Sequence, residues 1–160
     1  MSNTVTNYAV IMGGKDAISK LVDDTNLNAK RNDLFVFDFN GIVKLPEELE
    51  IFEASYETKK VSEGFMQKYG AQDWYEWSVK NWGTKWNSDN VKIIDIHENH
   101  IALKFDTAWD PPYPIYEKLN EQGLEVHSYW FNDGGSEGDY GNPSIYKEFF
   151  DIEELRENHN

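Results

Sequence analysis

Two histidines, His97 and His100, bracket Glu98 and Asn99, and a glycine-rich acidic stretch runs Asp133-Gly134-Gly135-Ser136-Glu137-Gly138-Asp139. The first pattern has the makings of half a metal site and the second those of a calcium loop. A zinc site needs three or four convergent ligands backed by partners that orient them. The two histidines stand where a hairpin would turn, so they read as a chance surface pair. A calcium loop needs regularly alternating oxygens closed by a bidentate acid, and the glycine-rich stretch has neither, so it reads as a turn. His127 falls in a β-rich run and reads as a half-buried structural side chain, and His159 lies at the chain end. Gly13-Gly14-Lys15 follows an apolar run, but the spaced glycine and Lys-Ser/Thr of a phosphate loop are missing. No nucleophile elbow, paired-histidine zinc helix or Ser/His/Asp arrangement occurs. The absence of Cys excludes a thiolate nucleophile, a Cys-based zinc site, an iron–sulfur cluster and a disulfide framework. No catalytic residue, metal ligand or cofactor is assigned, and the chain reads as non-enzymatic.

Aromatic side chains carry the stronger signal. Trp74, Trp77, Trp82 and Trp86 are four of the six Trp, and Phe105-Asp106-Thr107-Ala108-Trp109-Asp110-Pro111-Pro112 follows soon after. Trp74 and Trp77 are three apart, which places both rings on one side of a helix. Rings at that spacing usually serve packing, so a core needing large rings is favoured over a stacking platform. Stacking of bases would also want interleaved basic residues, and only Lys80 and Lys85 are near. The alternative is a pocket lined by Trp82, Trp86, Trp109 and Tyr129 that takes a nucleotide-like ligand.

The elements that must hold these residues follow from the apolar pattern. Thr4 to Met12 reads as a strand ended by Gly13-Gly14, and Ala17, Ile18, Leu21 and Val22 recur at helical spacing. Leu34 to Phe39 reads as a second strand, with Pro46 breaking the chain after it. Residues 47–60 read as a surface loop or short helix. Ser62 is placed as the cap of a helix reaching Tyr69, and a further helix runs from Asp73 to about Lys80. Val91 to Phe105 reads as a hairpin turning at Glu98-Asn99. Asp110 is placed as the start of a helix that Gly123 ends, and Leu124 to Phe131 as a strand. Asn132 to Asn142 reads as a loop and Ile145 to Phe150 as an edge strand.

The result is one α+β domain over residues 1–160. Its expected fold is a ferredoxin-like antiparallel sheet with helices on one face. A Trp-rich helical insertion occupies about residues 34–88, and an acidic tail residues 148–160. At 160 residues and 18.7 kDa such a domain buries about two thirds of its unfolded surface. No window reaches the length of a membrane span and no leader is apparent, so the chain is expected to be cytoplasmic.

Against 29 acidic residues stand 15 Lys and Arg, a net charge of −14. Such a field repels phosphate backbones and anionic lipid and attracts basic surfaces. Direct binding to nucleic acid or membrane is therefore disfavoured. Like-charge runs are usually solvated faces, but Glu47, Glu48 and Glu50, together with Asp133, Glu137 and Asp139, are placed as the surface that docks a basic partner.

Three segments carry a family resemblance that spans most of the chain. Phe37-Asp38-Phe39-Asn40-Gly41-Ile42-Val43-Lys44-Leu45-Pro46-Glu47-Glu48-Leu49, then Trp74-Tyr75-Glu76-Trp77 with Asn81-Trp82-Gly83-Thr84-Lys85-Trp86-Asn87, and then Phe105 to Pro112 occur in that order. Together they resemble the YubB-like proteins of phages and conjugative plasmids. Tyr129-Trp130-Phe131-Asn132-Asp133-Gly134 departs from that family's Tyr-x-Glu, and Asn3 to Asn7 from its Trp- and Cys-containing opening. The resemblance implies a ferredoxin-like domain and an origin on a mobile element, and transfers no catalytic residue. It also implies the company of genes that protect incoming DNA. With the charge, this makes the leading expectation a phage or plasmid protein that binds and inhibits a bacterial defence protein, a CRISPR nuclease or a restriction system, as an anti-CRISPR does. The small-molecule pocket is the alternative, and a structural or regulatory role with no host target is a third. Oligomeric state is left open.

Overall fold

The computed structural model describes residues 3–31, 34–51 and 59–159, with Arg31, Lys59, Lys60 and His159 described by backbone alone. The strands are β1 (Thr4–Met12), β2 (Lys30–Arg31), β3 (Leu34–Phe35), β4 (Asp89–His97), β5 (His100–Ala108), β6 (Glu125–Asn132) and β7 (Glu137–Tyr140). The helices are α1 (Lys15–Asp24), α2 (Glu47–Ile51), α3 (Lys59–Tyr69), α4 (Trp74–Asn81), α5 (Tyr113–Glu121), α6 (Pro143–Tyr146) and α7 (Ile152–His159). One sheet runs β2-β3-β4-β5-β1-β6-β7 with every neighbouring pair antiparallel. The α+β class and the antiparallel sheet agree with the sequence reading. The sheet has seven strands.

β1 is central, pairing with β5 on one side and β6 on the other. Its alternate residues feed two cores. Ala9 and Ile11 join Ile18 and Leu21 of α1, Ile115 and Leu119 of α5, Trp77 of α4 and Trp82 just after it. Tyr8 and Val10 join Tyr129, Phe131, Tyr146, Phe150 and Ile152 behind the sheet. A strand covered on both faces has no polar face to show, and β1 therefore reads as a near-continuous apolar run.

Helices on one face only is thus corrected: α6 and α7 cover the second face. The edge strand expected over Ile145–Phe150 is instead α6 and the turn after it. Asn142 accepts a hydrogen bond from the Ser144 amide at 2.9 Å, and Pro143 occupies the first turn. The amphipathic period then delivers Tyr146 and Phe150 to the second core. Within the acidic segment 148–160, α7 buries Ile152. The loop expected over Asn132–Asn142 contains β7, which pairs with β6 through Phe131–Glu137 and Ser128–Tyr140.

Other boundaries also shift. Of the strand expected over Leu34–Phe39 only Leu34–Phe35 pairs, because Asp38 accepts from the Asn40 amide and caps a short turn over Phe39–Gly41 that ends the extended run, with Phe37 and Phe39 both fully buried. Ser62 lies inside α3 rather than capping it. α5 begins at Tyr113, with Pro112 at the cap position in place of Asp110. The surface helix expected within residues 47–60 is α2, with Leu49 buried, and residues 52–58 lie outside the described part. Among the described residues no helix is long and apolar enough to cross a membrane.

Candidate functional site: an aromatic groove around Lys85

Asp73 caps α4 by accepting from the Glu76 amide at 2.9 Å, and the helix turns Trp77 into the core while leaving Tyr75 38% exposed. Gly83 then reverses the chain at φ 81°, where a Cβ would meet Pro114 Cδ at 2.5 Å. The next residue fixes the loop. The Thr84 hydroxyl donates to the Ala108 carbonyl at 3.0 Å and accepts from the Ala108 amide at 2.9 Å. One buried side chain thus extends the hydrogen bonding of β5 and ties residues 84–86 to the strand end that carries Trp109.

Downstream, Asn87 Oδ1 accepts from the Phe39 amide at 2.9 Å and its Nδ2 donates to Asp38 Oδ1 at 2.7 Å. Ser88 donates to the Phe37 carbonyl. Asp38 Oδ1 also accepts from the Asn40 amide, and Asn40 Oδ1 from the Leu45 amide at 2.9 Å. Trp82 Nε1 donates to the Val43 carbonyl at 2.8 Å. The Phe37–Leu49 and Asn81–Asn87 motifs are therefore one interlocked unit, in which the Asp38, Asn40, Trp82, Thr84 and Asn87 side chains fix the loop.

What the unit presents is a groove of about 690 Å³ lined by Asn3, Thr4, Lys85, Trp86, Asn87, Ser88, Asp89, Asn90, Asp106, Thr107, Ala108 and Trp109. Lys85 Nζ sits 4.6 Å from the ring centroid of Trp86, 5.2 Å from that of Trp109 and 5.7 Å from that of Tyr75. Tyr75 and Trp109 meet edge to face at 5.8 Å. Trp86 is 58% exposed and Trp109 42%. Trp109 also holds φ at 74°, a left-handed conformation costing an L-residue about 1–2 kcal/mol. The surrounding backbone holds it there, the Trp109 amide donating to the Asn3 carbonyl at 2.7 Å, and strain held in this way collects at functional sites. A second hollow of about 270 Å³ shares Lys85, Trp86 and Asn87 and adds Glu50, Trp74, Ser78 and Trp82.

The four rings expected to line one pocket do not do so. Trp82 is 3% exposed in the first core and lines only the smaller hollow, whereas Tyr129 is 2% exposed in the core on the opposite face. Trp86 and Trp109 alone share the larger groove. Lys85, Tyr75, Asp89 and Asp106 belong with them and were not selected from the sequence. The alternation of Tyr75 with Trp74 and Trp77 on a short helix was the available signal, since a ring off the buried face must be exposed.

The six acids expected to dock a partner are divided. Glu47, Glu48 and Glu50 ride on α2, whose Leu49 belongs to the first core. Glu48 Oε1 pairs with Lys68 Nζ at 3.0 Å, which holds its carboxyl below the usual range. Glu50 lines the smaller hollow. Asp133 Oδ2 accepts from the Thr4 amide at 3.2 Å, close to the rim of the larger groove. Glu137 and Asp139 turn to the second face. Arg156 forks onto Glu137 at 2.9 and 3.0 Å, Tyr129 donates to it at 2.6 Å, and Tyr146 donates to Asp139 Oδ2 at 3.1 Å. The Arg156 hydrogen bond, then that from Tyr129, holds the Glu137 carboxyl low, while burial and Glu137 push the Tyr129 hydroxyl up to about 12.

His97 and His100 flank the β4–β5 turn, stacked at 5.3 Å, with His100 Nε2 2.8 Å from Asp95. Among the described residues no group of three or more His, Asp or Glu is placed to hold a metal ion. Comparison with protein-family models, with curated proteins and with solved structures found no match to any of them.

Proposed function

We propose that this chain is a non-enzymatic phage or plasmid protein that binds and inhibits a bacterial defence protein, occupying a basic nucleic-acid groove of its target. The observation that carries the reading is the pairing of a net charge of −14 with an exposed groove of indoles and carboxylates. Aromatic rings at the centre of a polar, charged rim are the usual make-up of a protein-binding hot spot. The carboxylates supply steering toward a basic surface. The proposal includes a ferredoxin-like core made of β1, α1, β4, β5, α5 and β6, to which β2, β3 and β7 add edges. It also includes membership of the YubB-like family.

The test is affinity purification of the tagged chain from nuclease-treated lysates of bacteria carrying diverse defence systems, with mass spectrometry and a nuclease assay. Recovery of one defence protein at stoichiometric level, with its activity blocked and its binding weakened by added salt, is the expected result. Recovery without inhibition, or of nothing specific, would sink the proposal.

A nucleotide-like ligand is the second reading, favoured by one observation: a lysine ammonium beside two exposed indoles offers a phosphate contact next to a stacking surface. Thermal shift with nucleotides tests it, since a ligand at about a hundred times its Kd adds about 2.7 kcal/mol.

A further inference from the structure

Lys85 stands apart from the other described cations of this acidic chain because its ammonium faces three aromatic rings, where each of the others that meets a ring meets one. Rings turned on one ammonium form a cage that attracts a cation through their quadrupoles. All three rings are exposed, and one is held by a strained backbone. Core packing therefore does not account for them.

We propose that the cage is a receptor for an arginine side chain of a basic protein segment, and that Lys85 is its resident occupant, displaced when the segment docks. The inference rests on reading the chain as a binder of a basic protein. Charge selects the occupant: Asp89 and Asp106 line the same groove, and the whole chain repels anions. Guanidinium is preferred to ammonium because it is planar, weakly hydrated, stacks on indole faces and forks onto carboxylates. The exchange is cation for cation. The flexible Lys85 stem carries its ammonium into solvent, where it is readily hydrated, while the incoming group gains the groove carboxylates. Until then Lys85 covers the indole faces and protects them from non-specific contacts.

The sign of one substitution separates this from a phosphate site. The full chain, isotopically labelled, is titrated with a hexa-arginine peptide at about 150 mM salt while the indole N–H resonances are followed, Trp86 and Trp109 being assigned by substitution. The peptide is expected to shift those two and not Trp82. Lys85→Ala empties the cage and is expected to tighten binding about fivefold. Lys15→Ala removes the same charge beyond the far end of β1, and is expected to change binding less than about twofold. Trp86→Ala, at an exposed position that folding tolerates, is expected to loosen it about tenfold.

Weaker binding by Lys85→Ala, or equal tightening by Lys15→Ala, would overturn the proposal. So would shifts of the two indoles by adenosine monophosphate and not by the peptide. The two proposals fail separately. The peptide readout stands if no defence protein is recovered, whereas a defence protein inhibited equally by the Trp86→Ala chain would refute the cage and leave the inhibitor.

Discussion

Trp82 and Trp86 are the same residue type four positions apart, yet they do opposite work. Trp82 is packed edge-on against Phe39 at 5.9 Å and Trp77 at 5.5 Å, with its indole N–H bonded to Val43. Its replacement by Ala is expected to cost about 3–5 kcal/mol in urea unfolding, against less than about 0.5 kcal/mol for Trp86→Ala. Thr84 is the hinge between them. Thr84→Val keeps the volume but leaves the Ala108 amide unpaired, at about 1–3 kcal/mol, while the Ala108 carbonyl still accepts from the Asp110 amide at 3.0 Å, and the loosened loop should let acrylamide quench Trp86 more readily. His127 is a third case. Its Nδ1 accepts from the Asn142 amide at 2.9 Å and burial depresses its pKa, with Glu125 opposing weakly. The unfolded chain therefore binds the proton first. Stability from this site is intact above the ordinary histidine value of about 6.5 and falls as pH drops through the lower folded value. His127→Asn, which keeps an acceptor but does not titrate, should flatten the decline of Tm between about pH 7 and pH 5.

At the scale of elements, the last helix is held by a few side chains. α7 buries Ile152 and Leu155 packs partly against the same core, but its outer turn depends on Arg156 forking onto Glu137 of β7. The depressed Glu137 pKa sets the direction: the clip is intact above the usual carboxylate range and opens as pH falls through the lower folded value. Hydrogen exchange of the α7 amides should accelerate below about pH 4 in the natural chain, and already at neutral pH in Glu137→Leu. Unchanged exchange in Glu137→Leu would mean that the apolar contacts hold α7 alone. The preceding helix, α6, shows where apolar content misleads. The residues from Ile145 to Phe150 are apolar enough for a strand, but Asn142-Pro143 starts a helix. A helical period suits a segment that must cover a sheet face rather than extend its edge.

For the whole molecule, the division of acids decides which of them can meet a partner. Glu50 lines the smaller hollow, with Glu47 on the same helix, and Asp133 bonds Thr4 at the larger one, whereas Glu137 and Asp139 are held by Arg156, Tyr129 and Tyr146 behind the sheet. Charge reversal at Glu47, Glu50 and Asp133 is expected to slow association with the recovered partner about tenfold at low salt, with the difference vanishing above about 0.5 M. Reversal at Glu137 should instead free α7. Stopped-flow association rates across a salt series separate the two outcomes.

The sequence by itself determined what depends on near neighbours along the chain. The alternation of Ile101, Leu103 and Phe105 about the Glu98-Asn99 turn marks the β4–β5 hairpin, and the spacing of Ile18 with Leu21 and of Ile115 with Leu119 marks the two main helices. The concentration of Trp marks the segment that builds the groove. Tertiary structure alone decided which ring faces water, because that depends on groups far away in the chain: Val43 claims Trp82 and Ala108 claims Thr84, while Trp86 is left exposed. It likewise decided that Tyr129 lies on the opposite face from Trp109, because strand parity sets that side while strand order sets what lies against it. The −14 charge is a sum and was legible at once. Its distribution is a matter of folding, since carboxylates close in sequence are free or engaged according to which arginine or tyrosine the fold brings to them.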